Sequence, residues 1–136
     1  MKTHYALIAA LLLLSTAFSS CEKLETDTRN QFAGRYQVEE YSQYSHTPSI
    51  YQVRISKVSV SEDEVRITNF YDVGIDVTGV VVGSRMYIPE QTIGNFTVEG
   101  QGALSGNTIS LEYFVHALIG GSSFDDSVDA LLVKMP

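Results

Sequence analysis

The chain is poor in the residues that most enzymes and metal sites need. It has one cysteine, three histidines and no tryptophan among 136 residues. One cysteine, Cys21, allows no intramolecular disulfide, and the histidines stand far apart without the clustering that a metal site requires. A nucleophile elbow, a phosphate-binding glycine loop and a His-Glu-x-x-His pattern are also absent. We therefore predict no catalytic residue, no metal site and no cofactor, and we expect a protein that is not an enzyme.

Positive charge is scarce as well. Nine Lys and Arg stand against sixteen Asp and Glu, which gives a net charge of −7. An acidic surface repels phosphate backbones, so nucleic acid is excluded as an expected partner. The same charge disfavours direct contact between the protein surface and an anionic membrane.

Long hydrophobic runs are missing, because the longest one covers only residues 5–14. A membrane-spanning helix needs about 20 apolar residues. A short run after Lys2 and before several serines is typical of a secretory signal peptide, here residues 1–20. The following FSSC stretch resembles the lipobox of bacterial lipoproteins, which implies that Cys21 carries fatty acid such as palmitate. The alternative is an ordinary signal peptide that contains a cysteine.

Residues 21–31, CEKLETDTRNQ, are polar and lack apolar periodicity. This composition predicts a flexible tether between the membrane and a domain of residues 32–136. Glu22, Glu25 and Asp27 resemble the surface-export signal of Bacteroidota lipoproteins, although a merely solvated linker is the alternative. We expect a bacterial protein anchored by lipid in the outer membrane or on the cell surface.

What the domain does contain is alternation of apolar and polar residues with a period of two. Tyr51, Val53 and Ile55 share one face of a strand, for example, and eight such segments follow one another through short links. Short links make consecutive strands antiparallel neighbours, and closure of the sheet removes its free edges. We predict an all-β fold, an eight-stranded antiparallel meander barrel, with a β-sandwich as the alternative.

Three local patterns give finer predictions. Gly100 and Gly102 lie on one face of a strand and would allow it to coil tightly. The apolar phase changes between Ile55 and Val58, which predicts a bulge or bend within a strand. Residues 89–94, PEQTIG, are the one place where we predict a turn of helix.

The segment FAGRYQVEE, residues 32–40, resembles the Gly-x-Trp opening of the lipocalins, with Gly34 and Tyr36 at the motif positions. Lipocalins place an arginine near the last strand, where this chain has Lys134. The later stretch of residues 97–113 looks like a pattern of small lipoproteins from gut Bacteroidota. The resemblance implies a lipocalin-like barrel in an outer-membrane lipoprotein, and it implies no catalytic residue.

Tyrosine is the one residue type whose abundance points to binding. Its flat apolar ring and polar tip suit a barrel mouth or a protein-facing surface. We predict ligand-binding roles for Tyr36, Tyr41, Tyr44, Tyr51 and Tyr87, with ordinary packing between strands as the alternative.

A modification site is also predicted. Asp126-Ser127-Val128 resembles the O-glycosylation motif of Bacteroidota, which makes Ser127 the acceptor.

Two functions are compatible with these features. The first is a lipid-anchored, non-catalytic binding protein of the cell envelope whose barrel holds a small apolar ligand or a glycan. The ligand would enter near the loops after Tyr44 and Leu118. The second is a solid barrel that docks another envelope protein through its outer face or loops.

Overall fold

The structure is a computed structural model that describes residues 26–136. The predicted signal peptide, Cys21 and the first part of the predicted tether lie outside the described residues. Within them, no helix is long and apolar enough to cross a membrane.

A short helix and eight strands make up the described chain. They are α1 (Arg29–Phe32), β1 (Gly34–Ser42), β2 (Pro48–Lys57), β3 (Glu64–Phe70), β4 (Ile75–Val82), β5 (Arg85–Ile93), β6 (Phe96–Ser105), β7 (Thr108–Ile119) and β8 (Ser122–Lys134). Each strand pairs with the next, and β8 pairs with β1, which closes the barrel. All pairs for which register is defined are antiparallel. The predicted eight-stranded meander barrel is confirmed, and the sandwich alternative is wrong.

The period-two pattern explains the core. Along β1 the side chains alternate between buried and exposed from Tyr36 onward, and β8 alternates in the same way. The inward positions of all eight strands meet in one apolar core. Burial of apolar surface at about 25 cal/mol per Å² is the main force that holds the barrel closed.

Gly100 lies at a close contact between β6 and β7. It pairs with Tyr113 of β7. A Cβ atom at position 100 would lie 2.6 Å from the carbonyl oxygen of Glu112 and 2.6 Å from Cβ of Tyr113. The prediction that this glycine permits close coiling of β6 agrees with that geometry.

The barrel has two different ends. The turns β2–β3, β4–β5 and β6–β7 lie with α1 at one end, which we call the closed end. The turns β1–β2, β3–β4, β5–β6 and β7–β8 lie at the other, which we call the polar end. We predicted that the loops after Tyr44 and Leu118 flank one opening, and both loops lie at the polar end. There the rings of Tyr44 and Phe124 stack with their centroids 4.4 Å apart.

Two local predictions are wrong. No bulge follows Ile55, because β2 ends at Lys57 and the next six residues form a turn in which Val60 is 93% exposed. The segment 89–94 forms no helix, because residues 85–93 are a strand with a register shift between Ile88 and Gln91.

The side chain of Gln91 explains why the strand persists past Pro89. Its amide accepts from the backbone N–H of Thr78 at 2.9 Å and donates to the Thr78 carbonyl at 2.8 Å. Pro89 has no N–H to offer to β4. Beyond Val80 and Tyr87, where the backbone pairing of β4 with β5 ends, the Gln91 amide therefore replaces the backbone hydrogen-bond partner of Thr78.

Helix α1 covers the closed end, and Arg29 fastens it there. The guanidinium donates to the carbonyl oxygens of Val58, Ser61 and Glu64 at 3.1, 2.6 and 3.0 Å. Asp27 accepts from the same guanidinium, and that hydrogen bond lowers the pKa of Asp27 to about 2. The folded domain therefore includes Asp27, which lies within the segment predicted as tether.

Candidate functional site

The five predicted ligand-binding tyrosines do not form one cluster. Tyr36 lies buried at the closed end and donates to the carbonyl of Phe32 at 2.7 Å. Tyr51 and Tyr44 lie at the polar end, the former inside the barrel and the latter in the β1–β2 turn. Tyr41 and Tyr87 face outward and are 40% and 42% exposed. The structure therefore separates the predicted binding tyrosines into three regions: the closed end, the polar end and the outer wall.

A buried carboxylate stands at the centre of the polar end. Glu40 is 7% exposed because it lies two residues after Val38 and therefore faces the barrel interior, as Tyr36 and Val38 do. Its Oε2 accepts hydrogen bonds from the hydroxyls of Tyr51 and Tyr113. Burial raises the pKa of Glu40, although these two hydrogen bonds oppose the rise. Burial also raises the pKa values of both tyrosines, so their hydroxyls remain donors.

Asp126 of β8 is the second buried carboxylate and is 1% exposed. Its Oδ2 accepts from the hydroxyls of Ser42 and Tyr71, both at 2.6 Å. Its Oδ1 accepts from the backbone N–H of Tyr44 at 3.0 Å. Asp126 therefore ties three different parts of the polar end together.

Aromatic rings fill the space around these carboxylates. The ring centroid of Tyr113 lies 4.5 Å from that of Phe70 and 6.1 Å from that of Tyr71. The centroids of Tyr71 and Phe96 lie 6.3 Å apart. Tyr71 and Asp72 both have positive φ angles, of 59° and 56°, in the β3–β4 turn. This uncommon backbone holds the Tyr71 ring over the polar end.

The interior of the barrel is filled. Between the core and the polar cluster, the described residues leave a cavity of about 10 Å³, lined by apolar side chains with Tyr51 and Tyr113. That volume suffices for about one water molecule. Within residues 26–136, every buried side-chain nitrogen and oxygen has a hydrogen-bond partner. The polar end is therefore a satisfied network and not an open site.

The outer wall has the larger concave surfaces. Backbone register aligns five outward residues across five strands, which we call the outer row: Tyr41 (β1), Asp129 (β8), Glu112 (β7), Gln101 (β6) and Tyr87 (β5). Two grooves flank the carboxylates at the centre of this row. One, of about 590 Å³, includes Tyr41, and the other, of about 750 Å³, includes Tyr87.

The predicted acceptor Ser127 also faces outward. It is exposed on β8 opposite Phe114 of β7 and borders the larger groove. The preceding residue of its motif, Asp126, is the buried carboxylate of the polar end. Glycosylation at Ser127 stays a prediction.

Comparison with known proteins shows the fold and nothing finer. No protein-family model matches the chain, and no curated protein does. The chain is similar to the crystal structure, at 2.40 Å resolution, of a structural-genomics protein of unknown function from Bacteroides ovatus, with a TM-score of 0.52 and 15% sequence identity. The match covers 76% of this chain but 41% of that protein, so the chain spans less than half of its length.

Sequence reasoning missed the carboxylate network of the polar end. The signal was present, because Glu40 stands in phase with Tyr36 and Val38, and Asp126 stands in phase with Val128. A carboxylate at an inward position of an otherwise apolar strand face indicates a buried polar cluster. The partners Tyr71 and Tyr113 are distant in sequence and follow only from barrel closure.

Proposed function

We propose that this protein is a lipid-anchored interaction module of the bacterial cell envelope, whose solid barrel docks another envelope protein through its outer wall. The contrast between inside and outside supports this choice. The interior cavity beside Tyr51 and Tyr113 holds about 10 Å³, whereas the two solvent-open grooves beside the outer row hold about 590 and 750 Å³. Of the two functions compatible with the sequence, the docking module is the one that this geometry favours.

The composition of the outer wall supports a protein-facing role. Tyr41 and Tyr87 are about two-fifths exposed, and Phe114, near the larger groove, is 38% exposed. Aromatic side chains are enriched at protein interfaces, where their rings give contact area at little cost in conformational entropy. An enzymatic role has less support, because the two buried carboxylates, Glu40 and Asp126, are enclosed by tyrosine and serine hydroxyls.

We also propose that the barrel is lipocalin-like and that the chain is a lipoprotein. These two proposals rest on residues near the two ends of the chain. The contact of Gly34, Tyr36 and Lys134 at the closed end supports the lipocalin-like comparison, with Tyr and Lys standing where lipocalins have Trp and Arg. The anchor depends on Cys21. A chain tethered there would reach the barrel at its closed end, where α1 precedes β1.

A site-specific photocrosslinker tests the docking role in the full-length lipoprotein, expressed in its own membranes. The crosslinker replaces Tyr87 or Tyr41 in the outer row, and Arg66 on the exposed face of β3 serves as the matched control. We expect a reproducible crosslinked protein from both outer-row positions and none from position 66. Equal crosslinking at position 66, or none at positions 41 and 87, would contradict the proposal.

A further inference from the structure

We infer that the outer row takes a basic polypeptide segment of its partner, with Lys or Arg side chains seated at Glu112 and Asp129. This inference rests on the proposed docking function and names the chemistry of the partner. Glu112 and Asp129 are direct cross-strand partners on β7 and β8, and both are exposed. Cβ atoms of such pairs lie about 4.5–5.5 Å apart, and like charges there destabilise a sheet.

No cation of the described chain offsets this repulsion. The salt bridges of Lys and Arg among residues 26–136 join Asp27 to Arg29 and Lys57, and the hydrogen bond of His116 goes to Asp125, so none of these contacts reaches the Glu112–Asp129 pair. The grooves on both sides of the pair are lined by further carboxylates and by no Lys or Arg. A free cationic group would therefore find an uncompensated pair of negative charges in a concave surface.

The aromatic residues at the two ends of the row specify the cation further. Tyr41 and Tyr87 lie four strand steps apart, at about 4.8 Å per step. Arginine and lysine bind over tyrosine rings as well as to carboxylates, and arginine stacks on them especially well. An extended basic segment across the strands would meet the Tyr41 ring, the carboxylates of Asp129 and Glu112, the amide of Gln101 and the Tyr87 ring in turn.

Other occupants fit less well. A second copy of this chain would bring its own acidic row, and the net charge of −7 makes self-association unfavourable. Anionic lipid and nucleic acid are repelled for the same reason. Charge complementarity selects a basic protein segment.

The inference is tested with the full lipidated chain in non-ionic detergent and a fluorescein-labelled hexa-arginine peptide as probe, read by fluorescence anisotropy. The test variant is Glu112→Gln with Asp129→Asn. The control variant, Glu62→Gln with Asp76→Asn, removes the same charge from exposed sites outside the two grooves. We expect the test variant to weaken peptide binding at least about tenfold, or about 1.4 kcal/mol, and the control to stay within about twofold. Equal weakening in both variants, or none in the test variant, would overturn the inference.

The crosslinking arm separates this inference from the proposed function. The Tyr87 crosslink is repeated in the Glu112→Gln, Asp129→Asn background. Its loss supports the inference, and its persistence overturns the basic partner but leaves the docking function standing. Absence of any crosslink in the wild-type background defeats the docking function itself. The test variant should melt no lower than wild type, because it relieves the repulsion between Glu112 and Asp129 without emptying the core.

Discussion

The Nζ atom of Lys134 lies 5.7 Å from the ring centroid of Tyr36 and donates to the carbonyl of Gln31 at 3.0 Å. This contact joins the last strand, the first strand and α1 at the closed end. It is a cation–π contact combined with a hydrogen bond, and the lysine stem also packs against Gly34. The lysine thus covers the tyrosine ring and ties the last strand to the first strand and to α1.

Loss of the Tyr36 hydroxyl should weaken the closed end. Burial raises the pKa of Tyr36 to about 12, so the phenol stays protonated and donates to Phe32. Tyr36→Phe leaves that buried carbonyl without this donor, which costs about 1–3 kcal/mol. Urea denaturation of the full chain measures the change. Lys134→Met keeps the packing of the side-chain stem and should lower the free energy of unfolding by less than Tyr36→Phe does. A larger decrease for Lys134→Met would mean that the lysine ammonium, and not the buried hydroxyl, stabilises this end.

Helix α1 should depend on Arg29. Arg29→Met keeps a long apolar stem but removes all three hydrogen bonds to the β2–β3 turn. We expect a lower melting temperature, by more than about 4 °C, and faster amide hydrogen exchange at α1 and at the β2–β3 turn. Arg66→Met, on the exposed face of β3, is the matched control. An unchanged exchange rate at both segments would show that the other contacts of α1, such as Phe32 packing and the hydrogen bond from Lys134 to Gln31, hold the helix without Arg29.

Gly100 should tolerate no side chain. Gly100→Ala forces a Cβ to within 2.6 Å of backbone and Cβ atoms on β7, and overpacking of this kind costs about 1–3 kcal/mol. Gly74→Asn is the matched control, because nothing lies within 4 Å of its Cβ and Asn tolerates its φ of +72°. Similar stabilities of the two variants by urea denaturation would show that β6 can shift away from β7.

The sequence predicted the barrel well because strand alternation and short turns are local signals. Tyr51, Val53 and Ile55 face inward as the pattern indicates, and closure follows from eight consecutive antiparallel neighbours. Where prediction failed, a contact distant in sequence decided the outcome. Gln91 supports a strand where residues 89–94 suggested a helix, and the turn held by Arg29 ends β2 where a bulge was predicted.

The candidate site was less predictable, for a related reason. A tyrosine can face the core, the barrel end or the solvent, and clustering in sequence does not distinguish these places. Tyr41 and Tyr44 differ by three residues, yet one lies on the outer wall and the other stacks on Phe124 at the polar end. The outer row depends on register across five strands, and register is fixed only when the barrel closes.

The lipid anchor gives a prediction outside the described residues. If the FSSC stretch acts as the lipobox that it resembles, Cys21→Ala should abolish both membrane retention and labelling by radioactive palmitate, because the variant lacks the thiol that would be acylated. The domain of the variant should still fold, since Cys21 precedes its first described contact at Asp27. Circular dichroism of the released protein checks the fold, and unchanged labelling would contradict the lipoprotein assignment.

The buried Glu40 should make stability fall as pH rises. Its pKa is raised by burial and, more weakly, by the negative charges of Asp126 and Asp72, against the two hydrogen bonds from Tyr51 and Tyr113. A carboxyl whose folded pKa exceeds its unfolded value contributes its full stability below the unfolded pKa, near 4.5, and loses it as pH rises through the folded pKa. Each unit of the rise in pKa is worth about 1.4 kcal/mol.

Glu40→Gln removes this titration while keeping an oxygen that accepts from the two tyrosine hydroxyls. We expect urea denaturation between pH 4 and pH 8 to show wild type losing stability relative to Glu40→Gln as pH increases. Glu39→Gln, the solvent-facing neighbour, controls for the change in net charge. A stability difference between wild type and Glu40→Gln that stays constant over this range would mean that Glu40 ionises in the folded barrel as readily as in the unfolded chain, and that the tyrosine hydroxyls fully offset its burial.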